Sequence, residues 1–315
     1  SPEAGLLAAK SGDEGQRRAA LARWITAEQN PLPWRSMANR LWQYHLGRGI
    51  VDTPSDFGRM GAPPTHPQLL DWLAAELRSG DQSLKRLHRL IVTSHTYRQS
   101  SSAELGTRSA ERSDELSLVP SSALRTPSSI DSDNRYLWHA NRRRLQAEAV
   151  RDAVLLLAGR LDGRMGGPSF QDFVVEHPEH SPHYEYQLHD PDDPRSHRRS
   201  IYRFLVRSQP QPFMATLDCA DPSQRVDKRS ESLSALQALA TLNNGFMVVM
   251  SRHWAQRLAR EQPNLDAQIE RAVHEVFGRP ATDSELLLLT EYARDHGLAN
   301  LCRALLNANE FAFVD

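Results

Sequence analysis

Apolar side chains recur every three to four residues in at least seven segments of this chain, and that spacing limits the folds open to it. Residues so spaced share one face of a helix, and such a face must be buried against another element. One segment, RSIYRFLVRS, predicts a strand, because Ile201, Phe204 and Val206 surround Tyr202. We therefore predict a mainly α protein: a multi-helix domain with long irregular loops and at most a minor β element.

The sequence also predicts where several helices begin and end. The first is expected over residues 14–28, ending at the prolines of NPLPW, and the second from an N-cap at Ser36 to Gly47. One long helix with an Asp or Asn cap is predicted over DNRYLWHANRRRLQAEAVRDAVLLLAGRLD. TDSE, from Thr282 to Glu285, predicts a capping box near the C-terminal end.

The composition disfavours two classes of partner. The chain has 315 residues, of which 39% are hydrophobic, so it is long enough to bury a sizeable core. Its 38 basic and 39 acidic residues give a formal net charge of −1, which creates no field to attract nucleic acid or an anionic membrane. No apolar run approaches the roughly 18 residues that span a bilayer, so we predict no nucleic-acid partner and no membrane span.

A serine-rich segment divides the chain. Eleven of the 33 residues in 100–132 are serine and aromatic residues are absent, a composition that cannot offset the entropy lost on ordering. We predict that 100–132 is a mobile surface insertion or linker between an N-terminal helical part, 1–99, and a C-terminal helical part, 133–315, of the same module. The first residues, SPEAGLLAAKSGDEGQRRA, lack a signal-peptide apolar region and an initiator Met, so we expect a longer natural protein that carries any export signal upstream.

The two cysteines predict no cofactor in this chain. Cys219 and Cys302 cannot form a disulfide framework or a four-thiolate zinc site, and neither belongs to the C-x-x-C-H pattern that attaches haem c. Cys302 lies in the apolar helical stretch LCRALL, which predicts a buried small side chain.

The loop 47–67 and its flanks carry a mixture of acids, arginines and imidazoles: Arg40, His45, Arg48, Asp52, Asp56, Arg59, His66 and Asp71. Catalytic sites are commonly built on such loops. In an enzyme we expect a deep pocket where five residues converge, namely Arg40, His45, Asp56, His66 and Arg98. In the structural interpretation, the same residues tie a packed loop to its helices, because buried irregular backbone needs hydrogen-bond partners.

Two further clusters contain candidate catalytic carboxylates. Arg144, Glu148, Arg151 and Asp152 have helical spacing, which predicts the ion pairs Arg144–Glu148 and Glu148–Arg151 in a structural network. A general acid at Glu148 would instead need an apolar pocket that raises its pKa.

In LDCADPSQRVDKR, Asp218 and Asp221 flank Cys219. Paired carboxylates suit glycoside hydrolysis at a separation that sequence does not give. A cysteine becomes a nucleophile where a nearby cation lowers its pKa. The structural interpretation of this segment is a capped turn joining two helices.

The loop EHPEHSPHYEYQLHDPDDP contains weak candidate metal ligands, His177, His180, His183 and His189, among several carboxylates. Imidazole and carboxylate groups bind zinc, iron or manganese. Because no standard spacing such as H-E-x-x-H is present, we interpret the segment as a solvated polar loop and predict no metal site.

Several long segments together resemble one family: NPLPWRSMANRLWQYHLGRGIVDTPSDFGRMGAPPTHPQLLDWLAAEL, SLKRLHRLIVTSHTYRQSS, NRRRLQAEAVRDAVLLLAGRLD, RRSIYRF, SLSALQALATLNN and ALLNANEFAFVD. They resemble the planctomycete domain-of-unknown-function family 1553, the PSD family, over nearly the whole chain. The resemblance implies the C-terminal module of an exported multidomain protein, periplasmic or at the cell surface. It also implies upstream domains as partners, often a cytochrome-c-like domain that would carry haem c.

No nucleotide-binding glycine motif and no G-x-S-x-G is present. We therefore expect an accessory module that binds an upstream domain, a cytochrome-c-like domain or a surface polymer. The alternative is a hydrolase that acts on a carbohydrate or similar polymer and uses an Arg/His/Asp cluster.

Overall fold

The computed structural model describes residues 14–101, 130–177, 181–224 and 226–314. These residues form twelve α-helices and two small antiparallel sheets of two strands each. The prediction of a mainly α protein with a minor β element is confirmed. The chain divides into two compact units between Arg142 and Arg143. Residues 102–129, most of the predicted serine-rich linker, lie outside the described residues, so the linker and the three-part division remain predictions.

The N-terminal unit contains four helices in its described part: α1 (Glu14–Ile25), α2 (Leu32–Leu46), α3 (Pro67–Ser79) and α4 (Leu84–Val92). α2, α3 and α4 enclose one apolar core, to which the loop between α2 and α3 contributes Ile50 and Val51. Asn39 of α2 holds this loop, because its buried amide donates to Val51 O at 2.9 Å and accepts from Val51 N at 2.8 Å. The loop is therefore packed near its start, while Met60 is 87% exposed.

The C-terminal unit contains eight helices: α5 (Ala147–Leu157), α6 (Pro212–Thr216), α7 (Ala235–Asn243), α8 (Gly245–Glu261), α9 (Leu265–Phe277), α10 (Asp283–His296), α11 (Leu298–Leu305) and α12 (Asn309–Ala312). Its strands are β1 (Arg143–Arg144), β2 (Val174–Glu176), β3 (His183–Glu185) and β4 (Phe313–Val314). β1 pairs with β4, and β2 pairs with β3.

The core of the C-terminal unit is built around α8. Met247, Met250, Trp254 and Leu258 follow a helical period and are fully buried. α8 packs against α5, α9 and α11. Cys302 of α11 is fully buried in the same core, which confirms its predicted role as a small apolar side chain.

The predicted strand RSIYRFLVRS is wrong. Ser200–Tyr202 forms a 3-10 turn, and Arg203 pairs with Phe170 in an isolated bridge. The reason is that a side chain, and not a neighbouring strand, accepts the hydrogen bond of the backbone N–H here. Asp152 Oδ1 of α5 accepts hydrogen bonds from the backbone N and the Oγ of Ser200, both at 2.7 Å.

Helix boundaries differ from the prediction at two places and agree at two. α2 begins at Leu32, not after Ser36, because proline is tolerated in a first turn whose N–H groups lack partners. Only Ala147–Leu157 (α5) of the long predicted helix is helical. The part predicted before α5 is wrong, because Asn134 adopts a left-handed conformation (φ 49°) and β1 pairs with β4. Gly47 ends α2 in a left-handed conformation, and Thr282 and Glu285 form the predicted capping box.

No helix in the described parts of the chain is both long enough and apolar enough to cross a bilayer.

Two matched leucine substitutions test the core assignment. We expect Leu258→Ala to lower the free energy of unfolding by about 3 kcal/mol, because it leaves a cavity beneath α8. Leu236→Ala removes the same atoms from a residue that is 70% exposed, and it should change the free energy of unfolding by less than about 0.5 kcal/mol. Urea unfolding followed by circular dichroism measures both values, and equal losses in the two variants would contradict the assignment.

Candidate functional site

The polar residues of the loop 47–67 mainly bind the loop itself and its flanking helix. Arg40 of α2 donates to Ser55 Oγ at 3.3 Å. Asp56 accepts from the backbone N of Gly58 at 2.8 Å. These contacts match the structural interpretation of the cluster.

The five residues expected to converge in this unit are not together in the lining of the small cavity beside the loop. His66 lies beside a cavity of about 10 Å³, and the other four do not line it. His45 Nε2 is instead 2.6 Å from His88 Nδ1, and Arg98 is exposed. A space of that size holds about one water molecule, so it provides no substrate pocket.

The ion pairs predicted on α5 are wrong. Arg144 lies in β1, where it donates to Gln237 Oε1 and to the backbone O of Ser232. Glu148 binds Arg229, with Nη1 at 2.9 and 3.0 Å from its two carboxylate oxygens. A long-range partner thus replaces the two neighbours along the sequence.

Asp218 and Asp221 stabilise turns. Asp218 accepts hydrogen bonds from the backbone N of Ser232 at 2.7 Å and from Gln237 Nε2 at 3.0 Å. Burial opposes its negative charge, but these hydrogen bonds outweigh burial and hold its pKa below the ordinary value. Asp221 accepts from the backbone N and Oγ of Ser223 at 2.8 and 2.7 Å.

The Cys219 thiol lacks the electrostatic setting of a nucleophile. Burial, and then the negative charge of Glu148, raise the pKa of the thiol. Its Sγ donates to Glu148 Oε1 at 3.6 Å. Cys219 is therefore held in its protonated form.

The weak metal candidates are spread along the 170–190 region. His177 and His183 are exposed, His183 in β3, and His180 lies outside the described residues. Within the described residues, no three His, Cys, Asp or Glu side chains are grouped so that they could hold a metal ion.

The C-terminal unit contains a cavity of about 400 Å³ that sequence reasoning did not predict. Its lining combines aromatic, amide and charged side chains: Arg151, Asp172, Tyr186, Gln187, His189, Gln211, Phe213, Met214, Asn244 and Phe246, together with Pro191, Ser196, Pro212 and Gly245. We name this space the main cavity because the buried Arg151 and Asp172 line it; a larger space of about 840 Å³, lined by Asp190 and Arg198 among others, shares His189 with it. The volume of the main cavity is typical of sites for small ligands.

Arg151 fixes one wall of the main cavity. From α5, its guanidinium donates to the backbone oxygens of Ser196 and Arg198, and it lies 4.9 and 5.6 Å from the ring centres of Phe170 and Phe246. Burial lowers the pKa of Arg151 to about 10, so it remains charged near neutral pH. The buried cation thus holds an irregular segment of backbone in place.

Asp172 is the least satisfied polar group of the main cavity. The residue is 7% exposed, and its Oδ1 has no hydrogen-bond partner among the described residues. Arg203 Nη1 lies 3.8 Å from Oδ2, beyond hydrogen-bond distance. Burial raises the pKa of this carboxyl, although Arg203 and Arg151 oppose that rise.

Two neighbours of Asp172 also have shifted pKa values. Burial lowers the pKa of His189, against the attraction of the Asp172 carboxylate, so this imidazole is neutral near pH 7. Burial, and then the charge of Asp172, raise the pKa of Tyr186. The main cavity therefore presents a neutral imidazole, a phenol and an incompletely paired carboxyl.

Sequence reasoning missed Asp172 and Arg203, and it assigned Arg151 to a structural ion network along one face of a helix. A usable signal was present in SFQDFVV, where Asp172 is surrounded by apolar and aromatic residues. Arg203 is set in a similar run, SIYRFLV. A single charge within an apolar run is either exposed on a turn or buried with a function, and the sequence does not separate the two.

Comparison with known proteins gives one match. The model of a family described as a protein of unknown function (PSD1, DUF1553) matches residues 17–293. No curated protein and no solved structure matches the chain.

Asp172→Asn tests the burial of this carboxyl through the pH dependence of stability. Because the pKa of Asp172 is raised in the folded state, ionisation of this carboxyl lowers the free energy of unfolding. The loss is absent at a pH below the ordinary carboxyl pKa, and it is complete at a pH above the raised pKa. We expect the variant to melt at a higher temperature than wild type at pH 7 and at the same temperature near pH 3.5.

Asp193→Asn is the control of opposite sign. Hydrogen bonds from Arg195 lower the pKa of Asp193 to about 2, so its charge stabilises the fold at neutral pH. This variant should be less stable than wild type at pH 7. If Asp172→Asn also lost stability at pH 7, the carboxylate would be fully paired rather than strained by burial.

Proposed function

We propose that this chain, which belongs to the PSD1 (DUF1553) family of proteins of unknown function, is a binding module that holds a sugar unit of a carbohydrate polymer in the main cavity. The single observation that carries this proposal is the combination of aromatic rings with an unpartnered buried carboxyl in one space of suitable size.

The aromatic lining supports a sugar ring as ligand. Tyr186, Phe213 and Phe246 contribute rings to the main cavity. The C–H groups of a sugar ring form an apolar face that packs against such rings. Gln187 and Asn244 also line the main cavity, and their side-chain amides offer donors and acceptors to the hydroxyl groups of a sugar.

Asp172 and Arg203 support a hydroxyl-bearing ligand in a second way. Asp172 Oδ1 is an acceptor without a donor, and Arg203 Nε is a donor without an acceptor. A hydroxyl group both donates and accepts, so it can satisfy either atom. Unsatisfied buried groups cost stability, and a ligand that pairs them gains the corresponding free energy on binding.

We also propose, from the family resemblance, that the chain is an accessory part of an exported multidomain protein. In this proposal its partners are upstream domains of the same polypeptide, among them a cytochrome-c-like domain that carries haem c, and a surface polymer. The main cavity supplies the polymer-binding element of that assembly.

A hydrolase acting on a carbohydrate is the second candidate function, and the raised pKa of Asp172 favours it. Burial raises the pKa of Asp172 in the direction that general-acid catalysis requires. Glycoside hydrolysis, however, normally uses two carboxyl groups. Among the described residues that line the main cavity, Asp172 is the only carboxylate. Binding therefore agrees better with the lining than turnover does.

Isothermal titration against a panel of soluble polysaccharides tests the proposal. We expect wild type to bind at least one polymer, and Asp172→Asn to bind it about tenfold more weakly, because one charged acceptor is lost. Asp283→Asn, an exposed residue at the start of α10, is the matched control and should bind like wild type.

Two outcomes count against the proposal. Folded wild type that binds no polymer of the panel contradicts it outright. Release of reducing ends by wild type that disappears in Asp172→Asn identifies a hydrolase and replaces the binding module as the function.

A further inference from the structure

Arg203 is a buried arginine whose hydrogen-bonding capacity is almost unused. Its side chain is 5% exposed. A guanidinium has five N–H donors. Among the described residues, its Nε has no partner, its Nη1 lies 3.8 Å from Asp172 Oδ2, and its Nη2 contacts Cys219 Sγ at 3.8 Å. A protonated thiol is a weak acceptor, and in the described part of the chain this cation makes no hydrogen bond to an oxygen atom.

The backbone fixes the position of Arg203. Arg203 follows the 3-10 turn Ser200–Tyr202 and pairs with Phe170 in the isolated bridge. Phe170 N donates to Tyr202 O at 2.9 Å, and Phe204 N donates to Phe170 O at 2.8 Å. Main-chain hydrogen bonds on both sides of Arg203 therefore fix its backbone. The side chain is anchored through that backbone and not through a carboxylate partner of its own.

Arg203 lines a second, smaller cavity of about 140 Å³, which we name the side cavity. Tyr186, Gln211 and Met214 line both the side cavity and the main cavity. The two spaces are thus neighbours that share a wall. A ligand that fills the main cavity and reaches past these shared residues would bring one substituent to the side cavity, which Arg203 lines.

We propose that the ligand of this module is acidic and that its oxyanion, a carboxylate or a sulfate, binds Arg203 in the side cavity. The inference rests on the proposed sugar-binding function and adds the charge of the ligand to it. Carboxylates and tetrahedral oxyanions can both present two oxygen atoms to the N–H fork of a guanidinium, which is the pairing that Arg203 lacks.

The acidic groups already near Arg203 leave that pairing open. Asp172 is the nearest carboxylate, and it is shared with the buried Arg151. Glu148 binds Arg229 through both oxygens. Asp221 also lines the side cavity, but its Oδ1 accepts two hydrogen bonds from Ser223. Arg151 also lies 3.6 Å from Asp152 Oδ1, whereas Arg203 has only the more distant Asp172 among the described carboxylates with which it forms an ion pair, and a ligand oxyanion would supply a closer one.

The first experiment compares three oligosaccharides of equal length on the complete chain: a neutral hexose oligomer, the matching uronic-acid oligomer and the matching sulfated oligomer. We expect one acidic oligomer to bind about tenfold or more tightly than the neutral one, because a buried charged hydrogen bond is gained. The acidic oligomer that shows this advantage identifies the oxyanion as carboxylate or sulfate.

Charge-matched variants locate the effect. The advantage of the acidic oligomer is the ratio of the two affinities. Arg203→Met should bring that ratio close to one, because a lost Nε donor weakens the binding of both oligomers alike, whereas the lost charge weakens only the acidic one. Arg195→Met removes the same charge from a side chain that is 90% exposed and should retain that advantage. Removal of Arg203 takes positive charge away from the buried Asp172 and costs stability, so folding of each variant is checked by circular dichroism before binding is measured.

A second variant keeps the test decisive if Arg203→Met does not fold. Ala215 lines the side cavity and is exposed at the surface of α6. Ala215→Leu adds bulk to the side cavity without touching the arginine and should remove the same advantage.

Sodium sulfate and sodium acetate, compared with chloride at equal ionic strength, probe the side cavity without a sugar. We expect one of them to raise the melting temperature of wild type more than that of Arg203→Met or Ala215→Leu. The difference between proteins is the relevant quantity, because sulfate stabilises folded proteins in general.

The outcomes separate the two proposals. If wild type binds neutral and acidic oligomers equally, the sugar site stands and the acidic ligand is wrong. An acidic advantage that persists in Arg203→Met and Ala215→Leu also overturns the assignment to Arg203. If no oligomer binds but sulfate or acetate acts on wild type alone, the anion site stands and the sugar ligand is wrong.

Discussion

A buried arginine of α5 donates the hydrogen bonds that a neighbouring strand would otherwise donate to an irregular backbone segment. Arg151 donates to the backbone oxygens of Ser196 and Arg198 while its guanidinium packs over the rings of Phe170 and Phe246. Irregular backbone can be buried only when its polar groups are satisfied. Asp152, the next residue of α5, does the same for Ser200. Two adjacent side chains of one helix therefore permit a long segment without regular structure to form part of the interior.

That arrangement explains why the main cavity exists. A sheet or helix packed on α5 would fill the space with regular side chains, whereas the segment from Phe170 to Arg203 leaves a void between its turns and the helices. It also explains why charged groups line the void. Asp172 and Arg203 lie on this segment, and among the described residues Asp172 Oδ1 and Arg203 Nε have no hydrogen-bond partner. Their incomplete pairing costs stability that the apolar core around Trp254 offsets.

Local periodicity predicted the helices well and their surroundings poorly. The apolar residues from Met247 to Leu258 predicted a helix correctly, because the buried face of a helix contains an apolar residue every three to four positions. The strand predicted at Ile201 failed because β propensity describes a half-buried surface, while Asp152 here bonds the backbone as a turn. The main cavity was not predictable, since Asp172 and Arg203 are brought together by a bridge between Phe170 and Arg203 that has no local sequence signal.

The pairing of β1 with β4 has a consequence for the history of the C-terminal unit. Arg143 and Arg144, at its start, are hydrogen-bonded to Val314 and Phe313, at its end. A unit whose entry and exit lie side by side can be inserted into a host polypeptide as a single excursion, and it can be lost again without stretching the chain on either side. Its helices and its cavity travel together in such an exchange. Recombination can therefore place this unit in proteins of different length and domain order while its interior stays intact.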